Sequence, residues 1–446
     1  MQIHRFKIDI IFLIRYNCKK ITKNERRKDM LLQFNVSNFM SIKDEVTLTA
    51  FANASKEHEN TLLHVGKERV LPSLALYGAN AAGKSNLFRA LTSAIMLVRM
   101  SNTLQVNSPT GFIPFLLDKE SRNNKTKMDF LFVNNGKKYE YGFVADREYV
   151  YEEYLYEYKT SRPTMIFERT NVTDYKFTAA YKHLNEYKYK NTSNKLFMCT
   201  ATAWNCKETR DAFLWFAEKI DTYNLASIKD NQYLEYLDQN KEKPKTKEFM
   251  LSMLRHAEIN IQDYEFESKT VEDITIPLPP GIQIDKALFG SMKQFRLETI
   301  HQITEGNGTV NTYKLPFDSE SEGTKLLFAY GPIIMEAFEK GRTIVVDELD
   351  NSLHPSLARY LIGLFNDPEV NKNGAQLIFN SHDVSLLDLE LFRRDQVYFV
   401  EKNNDSGITD VYSLADFSPR KSENIQKGYL QGRYGAIPFP EGGIEW

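Results

Sequence analysis

Apolar and polar positions follow different periods in different stretches of the chain. A period of two over residues 32–36 and 46–50 predicts half-buried strands, and the apolar run 74–77 predicts a buried strand. Apolar residues recur at helical spacing over 87–98, which predicts an amphipathic helix that starts near Lys84. The first quarter of the chain is therefore expected to contain several strands followed by one long helix.

The middle of the chain changes character twice. Aromatic and β-branched residues over 111–160, interrupted by a turn at Asn135 and Gly136, predict an antiparallel β lobe. Residues 204–265 follow a helical pattern, with a connection expected at the polar run 241–247 because it contains a proline.

Strands and helices alternate in the last third of the chain. Strands are expected within 295–315, with a turn at 306–308. The pattern then predicts a helix over 323–339, a strand over 343–346, a helix over 356–365 and a strand over 376–380. This alternation predicts a mostly parallel sheet with helices on its faces.

One loop carries a complete phosphate-binding pattern between the strand 74–77 and the helix that follows. Glycines allow successive backbone N–H groups to point at phosphate oxygens, Lys84 neutralises the β- and γ-phosphates, and the Ser85 hydroxyl is a ligand for Mg²⁺. The sequence therefore predicts that the chain binds ATP through this loop. The expected contact residues are Gly78, Ala79, Asn80, Ala81, Ala82, Gly83, Lys84, Ser85 and Asn86.

Two adjacent carboxylates end the apolar strand 343–346. Acidic side chains at the end of a buried strand are costly unless they serve a cation or a water molecule. We expect Asp347 to hold Mg²⁺ and Glu348 to act as the general base that activates the attacking water. Together with the phosphate loop, this pair predicts an ATP hydrolase in which Lys84, Glu348 and His382 are the catalytic residues.

Three further features extend the predicted site. Ser321, Gly323 and Thr324 open a helix, where a serine and a glycine form an anion site that we expect to address the γ-phosphate on another subunit. Asp350 follows the acidic pair and is expected at a subunit interface. His382 follows the strand 376–380 and is expected to reach the γ-phosphate or the water.

Composition and net charge limit the expected partners and cellular location of the chain but add no candidate site residue. The formal net charge of −2 gives no overall attraction to nucleic acid or acidic membranes, so any basic surface must be local. The apolar stretch 10–14 is far shorter than the ~20 residues that a spanning helix needs. The three cysteines form no CxxC, which favours a reducing cytoplasm. Residues 1–29 are interpreted as an N-terminal extension, with a targeting or membrane-anchoring segment as the alternative.

The order of these motifs resembles the ATP-binding-cassette ATPases, and within them the branch of chromosome-maintenance, RecF-type and overcoming-lysogenization-defect proteins. Residues 321–324 stand where that family has its signature motif, 349–352 its D-loop and His382 its switch histidine. The turn 34–41 is similar to the first strand and turn of RecF-like proteins. Residues 320–325 and 429–438 look like compact bacterial abortive-infection ATPases.

The resemblance implies an α/β P-loop NTPase of the ATP-binding-cassette head type, with a mixed sheet, an antiparallel β lobe and a short helical insertion. It implies ATP and Mg²⁺ as cofactors, a homodimer or higher even oligomer, and a separately encoded effector protein in anti-phage defence. No zinc-hook CxxC and no acidic cluster of a nuclease are present. The expected organisation is an extension over 1–29, the first half of the ATPase head over 30–200, a helical insertion over 201–290 and the second half over 291–446.

Three other functions fit the same motifs. A DNA-repair or DNA-scanning ATPase of RecF type would bind duplex DNA, and the lysines of 241–247 would contribute to that surface. An energy module of a membrane transporter is disfavoured by the form of the signature and by the large insertion. A scaffold that binds ATP without hydrolysing it also fits these motifs.

Overall fold

The computed structural model describes residues 28–224, 232–241, 243–271, 292–306, 308–351 and 353–438. The expectation for residues 1–29 therefore falls almost wholly outside the described residues, as does Asn307 of the expected turn. The chain divides into two compact units. The first comprises the described residues up to Tyr223, Ala337–Leu349 and the described residues from Leu361, and the second comprises Asn224–Glu336 and Asp350–Tyr360.

The strands are β1 (Met30–Ser37), β2 (Val46–Thr49), β3 (Leu63–Val65), β4 (Glu68–Val70), β5 (Ser73–Tyr77), β6 (Thr126–Asn134), β7 (Lys137–Ala145), β8 (Val150–Tyr158), β9 (Pro163–Arg169), β10 (Tyr175–Lys176), β11 (Ile220–Asn224), β12 (Asp263–Val271), β13 (Met292–Thr304), β14 (Val310–Pro316), β15 (Thr343–Asp347), β16 (Gln376–Asn380), β17 (Val397–Lys402) and β18 (Thr409–Ser413). The α-helices are α1 (Lys84–Met100), α2 (Phe197–Ala203), α3 (Lys207–Glu218), α4 (Gln232–Asn240), α5 (Pro244–His256), α6 (Glu322–Lys340), α7 (Pro355–Asn366) and α8 (Ile425–Leu430).

A six-stranded sheet with the order β11-β15-β16-β5-β17-β18 forms the centre of the first unit. The pairs β15–β16, β16–β5 and β5–β17 are parallel, and β18 is antiparallel to β17. Every residue of β5 and β16 is buried, as expected for parallel strands with both faces covered. The predicted mostly parallel sheet is confirmed. Strand β16 lies between β5 and β15, so the residues that follow β5, β16 and β15 meet at one edge.

A seven-stranded antiparallel sheet with the order β10-β9-β8-β7-β6-β1-β2 belongs to the same unit and confirms the predicted β lobe. Asn135 and Gly136 connect β6 to β7 with φ angles of 52° and 74°. Positive φ at both loop residues is the geometry of the two-residue turn that Asn-Gly favours. The sequence therefore specified this hairpin locally.

Two buried polar side chains tie parts of the first unit together. The Gln376 side chain accepts from Leu31 N at 2.8 Å and donates to Leu31 O at 3.0 Å, which joins strand β16 to strand β1. The Glu153 carboxylate of β8 accepts from Phe197 N at 2.5 Å and Met198 N at 2.9 Å, at the start of α2. Burial is the largest influence on Glu153 and raises its pKa to about 6.

The second unit contains the sheet β12-β13-β14, helices α4 and α5, and most of α6. Two details of the helical interpretation of 204–265 are wrong, since β11 lies inside this range and β12 begins at Asp263. The connection expected over 241–247 extends too far, because its residues from Pro244 onward belong to helix α5. Proline lacks an N–H that the first helical turn leaves unbonded anyway, so it starts this helix instead of interrupting it.

One threonine and three apolar residues form the buried face of α5. Thr246, Met250, Met253 and Leu254 are buried at spacings of four, three and one residues, whereas Phe249 is only partly buried.

Within the described residues, no helix is long and apolar enough to cross a membrane.

Candidate nucleotide site

The phosphate loop joins strand β5 to helix α1 at the edge of the central sheet. Ala81 and Gly83 have φ angles of 63° and 110°, and a Cβ on Gly83 would stand 2.2 Å from the Thr409 hydroxyl oxygen. A Cβ on Gly78 would stand 2.2 Å from the backbone oxygen of Val400. Both glycine positions therefore require glycine, because the backbone conformation or its neighbours leave no room for a side chain.

Helix α1 begins at Lys84 and buries Leu87, Leu91, Ile95 and Val98, which confirms the predicted apolar stripe. The N–H groups of the first turn and the positive end of this helix therefore face the loop that precedes it. Such a helix start favours a bound anion.

The Lys84 side chain is 5% exposed and folds back over the loop. Its ammonium group donates to the backbone oxygens of Gly78 at 2.7 Å and Ala79 at 3.0 Å. A buried cation held against carbonyl oxygens is well placed to exchange these partners for phosphate oxygens, which are stronger acceptors because they carry charge.

The predicted magnesium residues lie together. The Ser85 hydroxyl lies 3.4 Å from Asp347 Oδ1, although the two residues are far apart in sequence. Hydroxyl and carboxylate oxygens are hard donors of the kind that Mg²⁺ selects, so this pair fits the ion.

Glu348 follows Asp347 in a conformation that is rare for a residue with a side chain. Its φ is 59°, and its backbone N–H donates to Asn380 Oδ1 at 2.5 Å. Its side chain is exposed at the edge of the sheet where the phosphate loop also lies. Backbone strain of this kind costs about 1–3 kcal/mol and is concentrated at functional sites.

Asn380 is a site residue that the sequence interpretation missed. It is the last residue of β16 and is 0% exposed. Its Nδ2 donates to Asp347 Oδ1 at 2.5 Å, and its Oδ1 accepts from Glu348 N at 2.5 Å. One amide therefore orients both acidic residues. The signal in the sequence was a polar residue that directly follows the apolar run 377–379.

A second group of polar residues supports the phosphate loop from behind. The Thr409 hydroxyl lies 2.8 Å from Ser41 Oγ and donates to Ala82 O at 2.9 Å. Asn86 Nδ2 donates to Ser41 Oγ at 2.7 Å. The side chain of Asn86 contacts Ser41, and its predicted contact with the nucleotide stays a prediction. The sequence carried no signal for Thr409, because strand pairing alone brings it to the loop.

His382 lies directly after β16, and its side chain is exposed. Strand β16 lies between the strand that carries the phosphate loop and the strand that carries Asp347. The backbone of the preceding residue, Ser381, donates to Leu76 O at 3.1 Å. The structure therefore places His382 at the carboxyl edge of the sheet, as the sequence predicted.

The expected signature residues belong to the second unit. Ser321 Oγ accepts from Thr324 N at 3.1 Å and lies 2.8 Å from Thr324 Oγ1, so Ser321 caps helix α6, which contains Gly323 in its first turn. Asp350 is in this unit too, and its backbone oxygen accepts from Leu353 N at 3.1 Å. These contacts form a capped helix start and a turn.

Glu320 holds the segment before this helix in place. Its Oε1 lies 2.8 Å from His301 Nε2 and also accepts from the Thr299 hydroxyl. The start of α6 is therefore fixed to strand β13 by a carboxylate with little exposure.

Several known proteins share features with this chain, although the comparison with curated proteins gives no match. The chain is similar to a structure described as "Crystal structure of the SmcHead bound to the C-winged helix domain of ScpA", with 12% identity, a TM-score of 0.38, and coverage of 86% of this chain and 97% of that one. It is also similar to "Structure of the recombination mediator protein RecF-ATP in RecFOR pathway", with 12% identity, a TM-score of 0.34, and coverage of 88% and 100%.

A protein-family model described as "AAA domain, putative AbiEii toxin, Type IV TA system" matches residues 73–194 and 235–388. The matched residues make up more than half of the chain, and they include the phosphate loop, the acidic pair Asp347 and Glu348, and His382. The chain belongs to this AAA family and is a P-loop ATP hydrolase.

Proposed function

We propose that this ATPase is a nucleotide-driven switch that hydrolyses ATP between two subunits and thereby controls a partner effector protein in bacterial anti-phage defence. The observation that carries the proposal is the convergence of Ser85, Asp347, Glu348 and Asn380 beside the phosphate loop. These residues supply a cation site and a base for water attack on a bound triphosphate.

Each residue near the loop has a separate task in hydrolysis. Lys84 neutralises the β- and γ-phosphates, and Ser85 and Asp347 would hold Mg²⁺, which would supply positive charge to the phosphates. Glu348 accepts a proton from the attacking water, and Asn380 fixes the direction of both acidic residues. His382 contacts the γ-phosphate or the water from the edge of the sheet.

The second half of the site comes from another subunit in this proposal. Ser321, Gly323 and Thr324 form a capped helix start, which attracts anions through its terminal N–H groups and the helix dipole. Asp350 lies at the interface between subunits. ATP therefore stabilises a closed dimer or a higher even oligomer, and hydrolysis reopens it, so that nucleotide state biases a two-state assembly.

Control of a partner is supported by two considerations. The matching family is described by the words toxin and TA system. The residues 320–325 and 429–438 also resemble compact abortive-infection ATPases, which work beside a separately encoded effector. The site offers a means for such control, because closure and reopening can hide or expose a binding surface.

The first experiment compares two variants with opposite expected effects. Glu348→Gln should retain ATP affinity, abolish turnover and yield a dimer in ATP by light scattering, because the base is lost while the phosphate contacts stay. Lys84→Ala should lose nucleotide binding and remain in the open form. Wild-type turnover in Glu348→Gln would remove this residue from the mechanism. The matched control for Lys84→Ala is Lys372→Ala, which replaces a lysine on an exposed turn.

The second experiment identifies the partner. The Glu348→Gln and Lys84→Ala proteins are each captured with ATP from infected and uninfected cells, and the product of the neighbouring gene is tested directly. A partner that copurifies with one nucleotide state but not with the other supports control by closure. Equal recovery with both variants contradicts it.

Duplex DNA binding through the lysines of 241–247 is the alternative. The geometry weakens it, since Lys241 lies 3.2 Å from Asp238 and Lys247 lies 2.6 Å from Asp263. Acidic partners that already neutralise two of the four lysines of this segment reduce their attraction to phosphates. An ATPase rate that rises with duplex DNA at low salt, and falls back as salt is added, would favour this alternative.

A further inference from the structure

A cluster of half-buried and exposed aromatic rings and lysines lies on the first unit, outside the nucleotide-site residues. It is formed by the end of a 3₁₀-helix (Ala179–Lys190) and by the residue after helix α2. We call it the aromatic–basic surface, and its members are Tyr187, Lys188, Tyr189, Lys190 and Trp204.

Two of the three rings of this surface are unusually accessible, whereas Tyr187 is half-buried. Tyr189 is 81% exposed and Trp204 is 55% exposed. Large aromatic side chains generally lose most of their surface on folding because that burial is favourable. These two exposed rings are linked through Lys190, which follows Tyr189 in the chain and lies over Trp204, and such a pair points to a ligand.

The lysines stand over the rings. The Lys190 ammonium lies 3.7 Å from the centroid of the Trp204 ring and 5.3 Å from that of Tyr187, and Lys188 lies 4.8 Å from the Tyr189 ring. Such contacts attract the cations to the ring faces by about 0.5–1 kcal/mol at exposed sites. Positive charge and flat apolar faces therefore occur together.

The scaffold under the surface is well anchored. Leu184 of the 3₁₀-helix is 0% exposed and belongs to the hydrophobic core. Asn191 Nδ2 donates to the Tyr175 hydroxyl at 2.9 Å, and Asn191 Oδ1 accepts from the Thr200 hydroxyl at 2.7 Å. The exposed rings are thus carried on packed backbone, so little ordering is needed before a ligand binds.

The local charge differs in sign from that of the whole chain. Residues 176–195 contain five lysines and one acidic residue, Glu186, whereas the formal net charge of the chain is −2. Glu208 is a nearby carboxylate, and it lies 3.1 Å from His183. This excess of positive charge favours an anionic partner.

We propose that the aromatic–basic surface binds single-stranded nucleic acid. Unpaired bases stack on Trp204 and Tyr189, and Lys188 and Lys190 contact the phosphates, which is how proteins bind single strands without reading their sequence. A duplex does not fit this chemistry, because its bases are already stacked on one another. The proposal goes beyond the proposed function, since none of its residues takes part in ATP hydrolysis.

The test uses the full chain and labelled homopolymers of about 15 nucleotides, dT and rU, with a duplex of the same length. Fluorescence anisotropy at low salt should show binding to at least one single strand and much weaker binding to the duplex. Comparing dT with rU distinguishes DNA from RNA as the source of the single strand. Raising the salt should weaken binding, as expected for contacts to phosphates.

Two variants test the stacking. Trp204→Ala and Tyr189→Ala should each weaken binding by roughly 5- to 150-fold, which corresponds to about 1–3 kcal/mol per stacked base. The matched control is Tyr313→Ala, a tyrosine that is 47% exposed in the second unit and should bind as the wild type does. The ATPase rate without nucleic acid should be unchanged in all three.

Intrinsic fluorescence provides a second readout. Trp204 is exposed whereas Trp215 is 0% exposed, so a stacked base should quench the wild-type emission more than that of Trp204→Phe. The proposal is overturned if neither single strand binds, if the duplex binds as tightly as the single strands, or if the variants bind like the wild type. It is also overturned if Trp204→Ala changes the oligomeric state, because that result would assign the surface to self-association.

Discussion

Replacing Asn380 by alanine removes the amide that joins the two acidic residues of the site. The variant loses one hydrogen bond to Asp347 and leaves the Glu348 N–H without that acceptor. An unsatisfied buried group costs about 1–3 kcal/mol. Residues that orient metal ligands typically contribute about 10- to 100-fold. We therefore expect kcat of the variant to fall by about 10- to 100-fold.

The assay separates this effect from a loss of ATP binding. Steady-state ATPase rates are measured while Mg²⁺ is varied, and ATP affinity is measured by equilibrium binding. ATP affinity should stay within about threefold of the wild type, because an interaction that acts mainly in the transition state changes kcat rather than binding. Half-saturation by Mg²⁺ should move to higher concentration. Asn380→Asp should be at least as slow, because a carboxylate cannot donate to Asp347 and repels it.

A matched control is available in another buried asparagine. Asn371 is 3% exposed and its Nδ2 donates to Phe365 O and Ala375 O, both at 2.8 Å. Asn371→Ala should lower the thermal unfolding temperature while the folded protein keeps its kcat. The reasoning is refuted if folded Asn380→Ala has a wild-type kcat and Mg²⁺ dependence, or if Asn371→Ala loses kcat to the same extent.

Three further changes address the support of the loop and the buried carboxylate. Thr409→Val removes the hydroxyl that donates to Ala82 O and should raise KM for ATP about 2- to 10-fold with little change in kcat. An unchanged KM would show that this hydroxyl does not support the phosphate loop. Gly83→Ala should abolish ATP binding in a filter or calorimetric assay, because a Cβ meets the Thr409 side chain at 2.2 Å, and measurable affinity would show that the loop can shift. Burial raises the pKa of Glu153 to about 6, so its contribution to stability is present below about pH 4.5 and is lost as the pH rises through 6. The free energy of unfolding, measured with urea, should fall by about 2 kcal/mol over this range. Glu153→Gln should flatten this dependence on pH, and an unchanged dependence would exclude Glu153 as its origin.

Several elements followed from the sequence because their causes are local. The phosphate loop is a continuous run of residues whose torsions and charges act on the same ligand, and the Asn135-Gly136 turn depends on two adjacent residues. The strand β16 was predicted with its observed limits, because a short apolar run between polar residues specifies a buried strand. The proline at the start of α5 misled the interpretation, since the same residue can end one helix or begin another.

The sequence by itself determined which residues could carry the chemistry, because residue type and near-neighbour spacing set the loop, Asp347 and Glu348. Only the tertiary structure decided what supports them. Asn380 reaches the acidic pair because β16 is inserted between β5 and β15, and Thr409 reaches the loop because β18 pairs beside β17 in the same sheet. Strand order depends on the packing of the whole sheet, which no local pattern encodes.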